Sequence, residues 1–223
     1  MTLHKPELVL FDLDGTLIDT APDLAWSIDE TLKQLGLPEC GESRVRAWIG
    51  SGIDGLLNRA LTNDIKGKAE KELFDKALTI FKEIYFENIC RQSRIYPGVM
   101  DAMDYLQKNN IFMACVTNKT GRFTDKILQE LELYDLFGIV VSGDTLAVKK
   151  PHAEPLLHAL AHYSLAADSA LMVGDSRTDV NAARAAGVPV LCVTYGYNMN
   201  KDVRELKPDA VVDSLAELPS LIN

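Results

Sequence analysis

The sequence contains two aspartates one residue apart, directly after a short apolar run. Asp12 and Asp14 follow residues 8–11, and Gly15 and Thr16 come next. In an extended backbone, residues i and i+2 point to the same side, so both carboxylates are expected to enter one pocket. Packing does not explain the pair, because burying an unpaired charge costs several kcal/mol. The pattern indicates a metal site, a nucleophile paired with an acid, or both.

A second acidic pair follows another apolar run. Residues 170–173 are apolar, a glycine comes next, and Asp175 and Asp179 lie just beyond it. Asp175 is expected at the tip of a strand. Asp179 is expected in the first turn of the following helix, where an acidic side chain also stabilises the N-terminus. With Asp12 and Asp14 these residues would form an all-oxygen ligand set, which suits Mg²⁺ rather than zinc or copper.

Two further strand ends contain groups that suit a phosphate. Thr117 and Asn118 follow the apolar run 111–116, and their hydroxyl and amide groups can bind phosphate oxygens without adding charge. An ordinary turn explains the same two residues equally well. Lys150 precedes Pro151, and the proline favours extended geometry at the residue before it. The ammonium group suits a phosphate or a carboxylate, although a solvated lysine pair is the simpler alternative.

The elements that position these residues alternate along the chain. Strands are predicted at residues 8–11, 111–116, 139–141, 170–173, 188–193 and 210–212. Helices are predicted between them at residues 99–107, 124–131, 155–162 and 179–186. Continuous apolar strands that alternate with helices predict an α/β fold with a parallel sheet covered on both faces. In such sheets, sites lie beyond the carboxyl ends of the strands.

One long segment lacks this alternation. From residue 18 to about residue 96 the pattern is helical only, with one predicted helix over residues 23–35. A second helix is predicted from apolar residues at helical spacing, which are Leu73, Ala77, Ile80 and Ile84, with Phe74, Phe81 and Tyr85 widening the stripe. We therefore predict a helical insert at residues 17–96 and a core formed by residues 1–16 and 97–223. An insert that begins beside the acidic pair would cover the pocket and exclude water.

The composition excludes several classes of protein. The net charge is −9, which argues against nucleic acid as a partner because nucleic acid binding requires a basic face. The longest apolar runs fall well short of the ~20 residues that cross a bilayer, and the first residues contain no signal-like apolar segment. The 4 cysteines are scattered along the chain. This usage predicts reduced thiols and a cytoplasmic location.

Four motifs in this order resemble the haloacid dehalogenase superfamily of phosphohydrolases, across the whole length of the chain. The matching residues are Asp12-Leu13-Asp14-Gly15-Thr16, Thr117-Asn118, Lys150-Pro151 and Gly174-Asp175-Ser176-Arg177-Thr178-Asp179. The resemblance implies a Rossmann-like core with an inserted α-helical cap. It also implies Mg²⁺-dependent hydrolysis of a small phosphate monoester through a covalent aspartyl-phosphate. A closer resemblance, to the members of the superfamily that act on 2-phosphoglycolate, implies this compound as the first candidate substrate. The residues that carry this closer resemblance are Ala21-Pro22-Asp23-Leu24, residues 45–52, Lys150-Pro151-His152 and residues 191–198.

The resemblance implies a role for each matching residue. Asp12 would attack phosphorus, and Asp14 would first protonate the leaving group and then activate water. Mg²⁺ would be bound by Asp12, Asp175 and the backbone carbonyl of Asp14. Asp179 would orient the waters of the metal from the outer sphere. The residues expected to bind the phosphate oxygens are Thr16, Thr117, Asn118 and Lys150.

Substrate choice would then depend on the helical insert. Arg46 and the turn Gly50, Ser51 and Gly52 are the candidates for binding the substrate carboxylate, since a guanidinium suits a planar carboxylate. A structural ion pair between Arg46 and one of the acids of the insert is the alternative.

Other functions within the same superfamily stay open from the sequence. They include pyrophosphatases, sugar-phosphate phosphatases and phosphomutases, whereas Asp14 argues against the dehalogenase and phosphonatase branches. A catalytically idle binding module is disfavoured, because the residues that such a protein is expected to lose are all present, namely Asp12, Asp14, Lys150 and Asp175. The expected partner is a small phosphorylated metabolite. The sequence does not decide between a monomer and a homodimer.

Overall fold

A computed structural model describes residues 3–50, 52–199 and 201–222. Its strands in chain order are β1 (Leu8–Phe11), β2 (Ile18–Asp19), β3 (Arg94–Ile95), β4 (Phe112–Val116), β5 (Ile139–Val141), β6 (Ala170–Gly174), β7 (Val190–Val193) and β8 (Ala210–Val212). Its helices are α1 (Ala21–Gln34), α2 (Glu42–Trp48), α3 (Ile53–Thr62), α4 (Lys71–Asn88), α5 (Val99–Lys108), α6 (Gly121–Glu130), α7 (Glu154–Tyr163), α8 (Arg177–Ala186) and α9 (Leu218–Leu221).

Six of the described strands form one sheet in the order β5-β4-β1-β6-β7-β8, with every neighbouring pair parallel. The predicted strands are therefore confirmed, with differences of one or two residues at some ends. β1 lies at the centre between β4 and β6. After β1 the chain first forms β4 and β5 on one side of it and then β6 to β8 on the other side. Parallel sheets of this kind bind ligands at the point where the strand order reverses.

The two faces of the sheet pack on separate apolar clusters. Successive strand residues point to opposite faces, so Val9 and Phe11 of β1 contribute to one cluster and Leu8 and Leu10 to the other. Helices α7 and α8 cover the second face through residues such as Leu156. Both faces of these strands are buried, and this explains why the strands are apolar at every position.

The segment between β1 and α5 is mainly helical, as predicted, and contains α1 to α4. The short strands β2 and β3 pair antiparallel and bring the beginning and the end of this segment together. The sequence pattern did not reveal these two-residue strands, nor α2 and α3. The carboxylate of Asp23 accepts hydrogen bonds from the backbone of Gln92 and Ser93 and from the Ser93 hydroxyl, at 2.7 to 2.9 Å.

The face of helix α4 that is buried differs from the predicted stripe of Leu73, Ala77, Ile80 and Ile84. Ala77, Phe81 and Tyr85 are fully buried, whereas Ile80 and Ile84 are only partly buried. Both stripes have helical spacing, and they differ by a rotation of about one residue on the helix. The buried stripe contains the aromatic side chains of Phe81 and Tyr85, which stack on each other, and Tyr85 packs at a tilt against Phe123 of α6.

In the described part of the chain, no helix is both long and apolar enough to cross a membrane. The cysteines Cys40, Cys90, Cys115 and Cys192 are all free thiols, and the last two are buried in the sheet.

Candidate active site

The carboxyl ends of the central strands meet at one place. Phe11 of β1 lies opposite Cys115 of β4 and Val173 of β6. The next residue, Asp12, donates its backbone N–H to the Val173 carbonyl at 2.9 Å. This register places the acidic pair that follows β1 beside Asp175, which follows β6.

Lys150 connects the two acidic pairs. Its Nζ lies 2.8 Å from Asp12 Oδ1 and 2.7 Å from Asp179 Oδ1, and the residue is only 2% exposed. Burial by itself would lower the pKa of this ammonium, but the charges of Asp12 and Asp179 outweigh it and raise the pKa. Lys150 is therefore held as a cation, in direct contact with the carboxylate expected to be the nucleophile.

Asp12, Asp175 and Asp179 could hold a metal ion together. One carboxylate oxygen from each lies within 4.8 Å of the others, and Asp175 and Asp179 are almost fully buried. Burial raises the pKa of Asp12 to about 7 in spite of Lys150, and the same cause raises the pKa of Asp175. Three acids that destabilise one another's charge in a buried, oxygen-only group fit a hard divalent cation.

The backbone around Asp175 leaves no room for larger side chains. Gly15 has a φ of +89°, and a Cβ there would lie 2.5 Å from Asp175 Oδ2. The Tyr197 N–H donates to the same oxygen, and the Thr16 hydroxyl lies 3.4 Å from Asp175 Oδ1. Thr16 is fully buried. Its hydroxyl therefore contacts one of the three clustered acids, and its predicted contact with phosphate stays a prediction.

Asp179 stabilises the start of α8 and holds the second motif together. Its Oδ2 accepts hydrogen bonds from the Ser176 hydroxyl at 2.6 Å and the Ser176 N–H at 3.1 Å, and its backbone completes a capping box with Ser176. Asp179 therefore stabilises the N-terminus of the helix, as the alternative explanation from the sequence proposed. The other oxygen of Asp179 binds Lys150, so the residue contributes to both the helix and the site.

Asp14 has a set of partners of its own. Its Oδ1 accepts a hydrogen bond from the Thr20 hydroxyl at 2.7 Å and lies 2.9 Å from Lys119 Nζ. The Lys119 ammonium also donates to the Tyr85 hydroxyl at 2.7 Å. Sequence reasoning assigned no role to Lys119 or Tyr85. Lys119 directly follows the predicted phosphate ligands Thr117 and Asn118, and this position could have indicated a role in the site. Tyr85 could not be distinguished by sequence from the other apolar residues of α4.

A cavity opens above these residues, between the sheet and the helical segment. The described residues that line it are Asp12, Asp14, Leu24, Ile49, Gly50, Gly52, Ile53, Leu56, Tyr85, Thr117, Asn118, Lys119, Lys150, Asp175, Ser176, Thr178 and Tyr197. Of the predicted phosphate ligands, Thr117, Asn118 and Lys150 line the cavity. The Asn118 amide donates to the Lys150 carbonyl at 2.9 Å, which holds two of the predicted motifs together.

The predicted specificity residues fall into three groups. Gly50 and Gly52 line the cavity, and Ser51 lies outside the described residues. Arg46 is not among the described lining residues. Its guanidinium pairs with Asp19 at 3.0 Å and Glu42 at 2.8 Å. Arg46 therefore forms the structural ion pair that was its alternative explanation.

Comparison with known proteins identifies the family. A family model described as haloacid dehalogenase-like hydrolase matches residues 9–193, which include every motif residue brought together above. The chain belongs to this hydrolase family. The resemblance noted from the four motifs is thereby confirmed, as is the α/β fold class with a Rossmann-like core.

This haloacid dehalogenase-like hydrolase has relatives that match almost its whole length. A protein of Nitrosococcus oceani, named phosphoglycolate phosphatase, is 47% identical over 99% of this chain and 98% of its own. A protein of Nitrosospira multiformis with the same name is 45% identical over the same shares. Among solved structures, a predicted phosphoglycolate phosphatase from Haemophilus somnus is 36% identical, with a TM-score of 0.91 and 96% of each chain covered.

More distant structures show the fold of this hydrolase alone. CbbY from Rhodobacter sphaeroides, solved in complex with phosphate, is 22% identical with a TM-score of 0.80, and 96% of each chain is covered. The helical segment and the sheet are thus arranged in a way that recurs at low sequence identity.

Proposed function

We propose that this hydrolase is a Mg²⁺-dependent phosphatase that converts 2-phosphoglycolate to glycolate and inorganic phosphate. The observation that supports the reaction is the buried Lys150 in contact with Asp12 and Asp179, beside Asp175 and at the base of a cavity. The substrate is inferred from the relatives named phosphoglycolate phosphatase at 47% and 45% identity.

The metal would be bound by Asp12, Asp175 and the backbone carbonyl of Asp14, with Asp179 acting through water. These residues fit because their carboxylate oxygens are buried and close together, and hard oxygen ligands are those that Mg²⁺ prefers. When bound, Mg²⁺ would neutralise negative charge on the phosphate and on the nucleophile.

The covalent steps would use two aspartates. A carboxylate oxygen of Asp12 bonds to phosphorus while the bond between phosphorus and the ester oxygen breaks, and Asp14 donates a proton to the departing oxygen. Asp14 then takes a proton from a water molecule whose oxygen attacks phosphorus. This second step releases inorganic phosphate and restores the Asp12 carboxylate. Lys150, Thr117 and Asn118 would hold the phosphate oxygens.

Residues 17–96 would act as a cap over a core of residues 1–16 and 97–223. Leu24, Ile49, Leu56 and Tyr85 from this segment line the same cavity as the acids. An apolar wall of this kind would exclude water from the phosphorylated Asp12 until the leaving group has departed. We propose a small phosphorylated metabolite as the compound that binds in this cavity, and a cytoplasmic location for the enzyme.

The proposed substrate is tested by measuring phosphate release from a panel of small phosphorylated metabolites in the presence of Mg²⁺. We expect 2-phosphoglycolate to have the highest kcat/KM. Preference for a sugar phosphate would contradict the substrate while keeping the chemistry. Transfer of the phosphoryl group to another position of a sugar, without release, would instead support the phosphomutase alternative.

Divalent metal binding is expected to stabilise the folded protein. A ligand at one hundred times its dissociation constant contributes about 2.7 kcal/mol, or roughly 5–10 °C in Tm for a chain of this size. Thermal unfolding with Mg²⁺ and with a chelator measures the difference. The shift should vanish in Asp175→Asn and persist in Asp168→Asn, which changes an exposed aspartate. An equal shift in both variants would place the metal elsewhere.

A further inference from the structure

Lys119 is a buried cation that the proposed mechanism does not use. The residue is 6% exposed, and its Nζ contacts Asp14 Oδ1 at 2.9 Å and the Tyr85 hydroxyl at 2.7 Å. The ammonium also lies over the Tyr85 ring, 4.9 Å from its centroid. Burial alone would lower the pKa of Lys119, but Asp14 and Tyr85 outweigh that effect and raise it. Lys119 therefore stays charged.

The cavity contains few positive charges. Among the described lining residues, Lys119 and Lys150 are the cations. Lys150 is already paired with two acids, Asp12 and Asp179, whereas among the described residues Lys119 forms its ion pair with one acid, Asp14. Arg46, the residue expected from the sequence to bind a carboxylate, is paired outside the lining with Asp19 and Glu42.

The chemistry of the substrate places its carboxylate near Lys119. In 2-phosphoglycolate the carboxylate is attached to the same carbon atom as the ester oxygen. Asp14 must approach that ester oxygen in order to protonate it. A cation in direct contact with Asp14, such as Lys119, is therefore beside the position that the carboxylate occupies. An anionic group that leaves water for this cavity needs such a partner, because an unpaired buried charge is costly.

We propose that Lys119, held in place by Tyr85, binds the substrate carboxylate and makes the site selective for phosphate esters that have an acidic group next to the ester carbon. This inference rests on the proposed function, which it refines by naming the specificity residue. Tyr85 belongs to α4 of the helical segment, and its ring packs on Phe81 and on Phe123 of α6 at 5.4 and 5.2 Å. Tyr85 thus comes from the helical segment, whereas Lys119 follows strand β4 of the sheet.

The same contacts allow a different role, in which Lys119 only positions Asp14. Two substrates separate the roles: 2-phosphoglycolate, and 2-hydroxyethyl phosphate, whose end group is neutral. If Lys119 binds the carboxylate, Lys119→Met should lower kcat/KM for 2-phosphoglycolate by about 10- to 100-fold, mainly through KM. The kcat/KM for 2-hydroxyethyl phosphate should fall by much less. Equal losses for both esters would show a positioning role and would overturn the proposal.

Lys149 provides a matched control at the edge of the cavity. A Cβ placed on the lining residue Gly52 would lie 3.0 Å from Lys149 Nζ, yet Lys149 itself is not among the described lining residues. Lys149→Met should leave the ratio of the two kcat/KM values unchanged. A loss of selectivity in Lys149→Met but not in Lys119→Met would show that Lys149 binds the carboxylate, and it would overturn the proposal.

Tyr85→Phe tests the proposal without removing the buried charge. This variant keeps the ring and loses only the hydroxyl that binds Lys119, so we expect a smaller loss of selectivity in the same direction. It remains informative if Lys119→Met does not fold. A wild-type enzyme that hydrolyses both esters equally well would overturn the proposed substrate and this inference together. A preference for 2-phosphoglycolate that survives both substitutions would overturn the inference alone.

Discussion

Asp12→Asn is expected to abolish phosphate release, with kcat lower by on the order of 10⁴-fold or more. The amide has the shape of the carboxylate but is a very poor nucleophile, so no aspartyl-phosphate can form at this position. Lys150 keeps its contact with Asp179 in the variant, and the fold is expected to persist. Phosphate release under saturating substrate measures the effect, and circular dichroism checks the fold.

The same substitution should change stability in a pH-dependent way when metal is removed. The pKa of Asp12 is raised from 3.8 to about 7 in the folded protein, mainly by burial. Between these values the native state binds a proton more tightly than the unfolded chain does, so this carboxyl makes stability fall as pH rises. Asn cannot titrate. In a chelator, the Tm of Asp12→Asn should approach that of the wild type at acidic pH and exceed it at neutral pH.

Two results would contradict these expectations. Substantial turnover in Asp12→Asn would show that another group attacks phosphorus, or that water does so directly. A difference in Tm between the variant and the wild type that does not depend on pH would show that Asp12 is ionised in the folded protein to the same extent as in the unfolded chain.

Lys150→Met is expected to impair both folding and catalysis. Removing one partner of a buried ion pair typically costs about 3–5 kcal/mol, and here the ammonium contacts both Asp12 and Asp179. Without it, the negative charges of the three clustered acids, Asp12, Asp175 and Asp179, would repel one another without a compensating cation. We also expect kcat/KM to fall on the order of 10²–10³-fold, as when other preorganised charge stabilisers are removed. Chemical denaturation and phosphate release measure the two effects.

The sign of the pH dependence follows from the same contacts. Loss of the cation favours the protonated acids in the folded state, so Lys150→Met should be least destabilised at acidic pH and most destabilised at alkaline pH. Lys82→Met, at an exposed position of α4, is the control and should change little. Adding Asp179→Asn to Lys150→Met should recover part of the stability without restoring activity, because the two residues are coupled. Independent, additive effects on stability would contradict the coupling between Lys150 and Asp179.

Local sequence determined much of the fold of this hydrolase. Continuous apolar runs identified the strands of the sheet because both faces of each strand are buried, as for Val9 and Leu10 of β1. A parallel sheet aligns its carboxyl ends, so acids and small polar groups that follow strands had to meet. That is why Asp12, Asp175 and Lys150, which are distant in sequence, could be expected at one place.

Only the tertiary structure decided which side chains meet across elements. The periodicity of α4 is compatible with two stripes, and the packing of α4 against α1 and α3 selects the one that contains Tyr85, whose ring also contacts Phe123 of α6. Arg46 had many possible acidic partners, and its pairing with Asp19 requires that α2 lies beside β2, which is distant in sequence. Lys119 could have been a solvated lysine, but the position of α4 buries it beside Asp14. Such contacts join residues far apart in the chain, and local patterns contain no information about them.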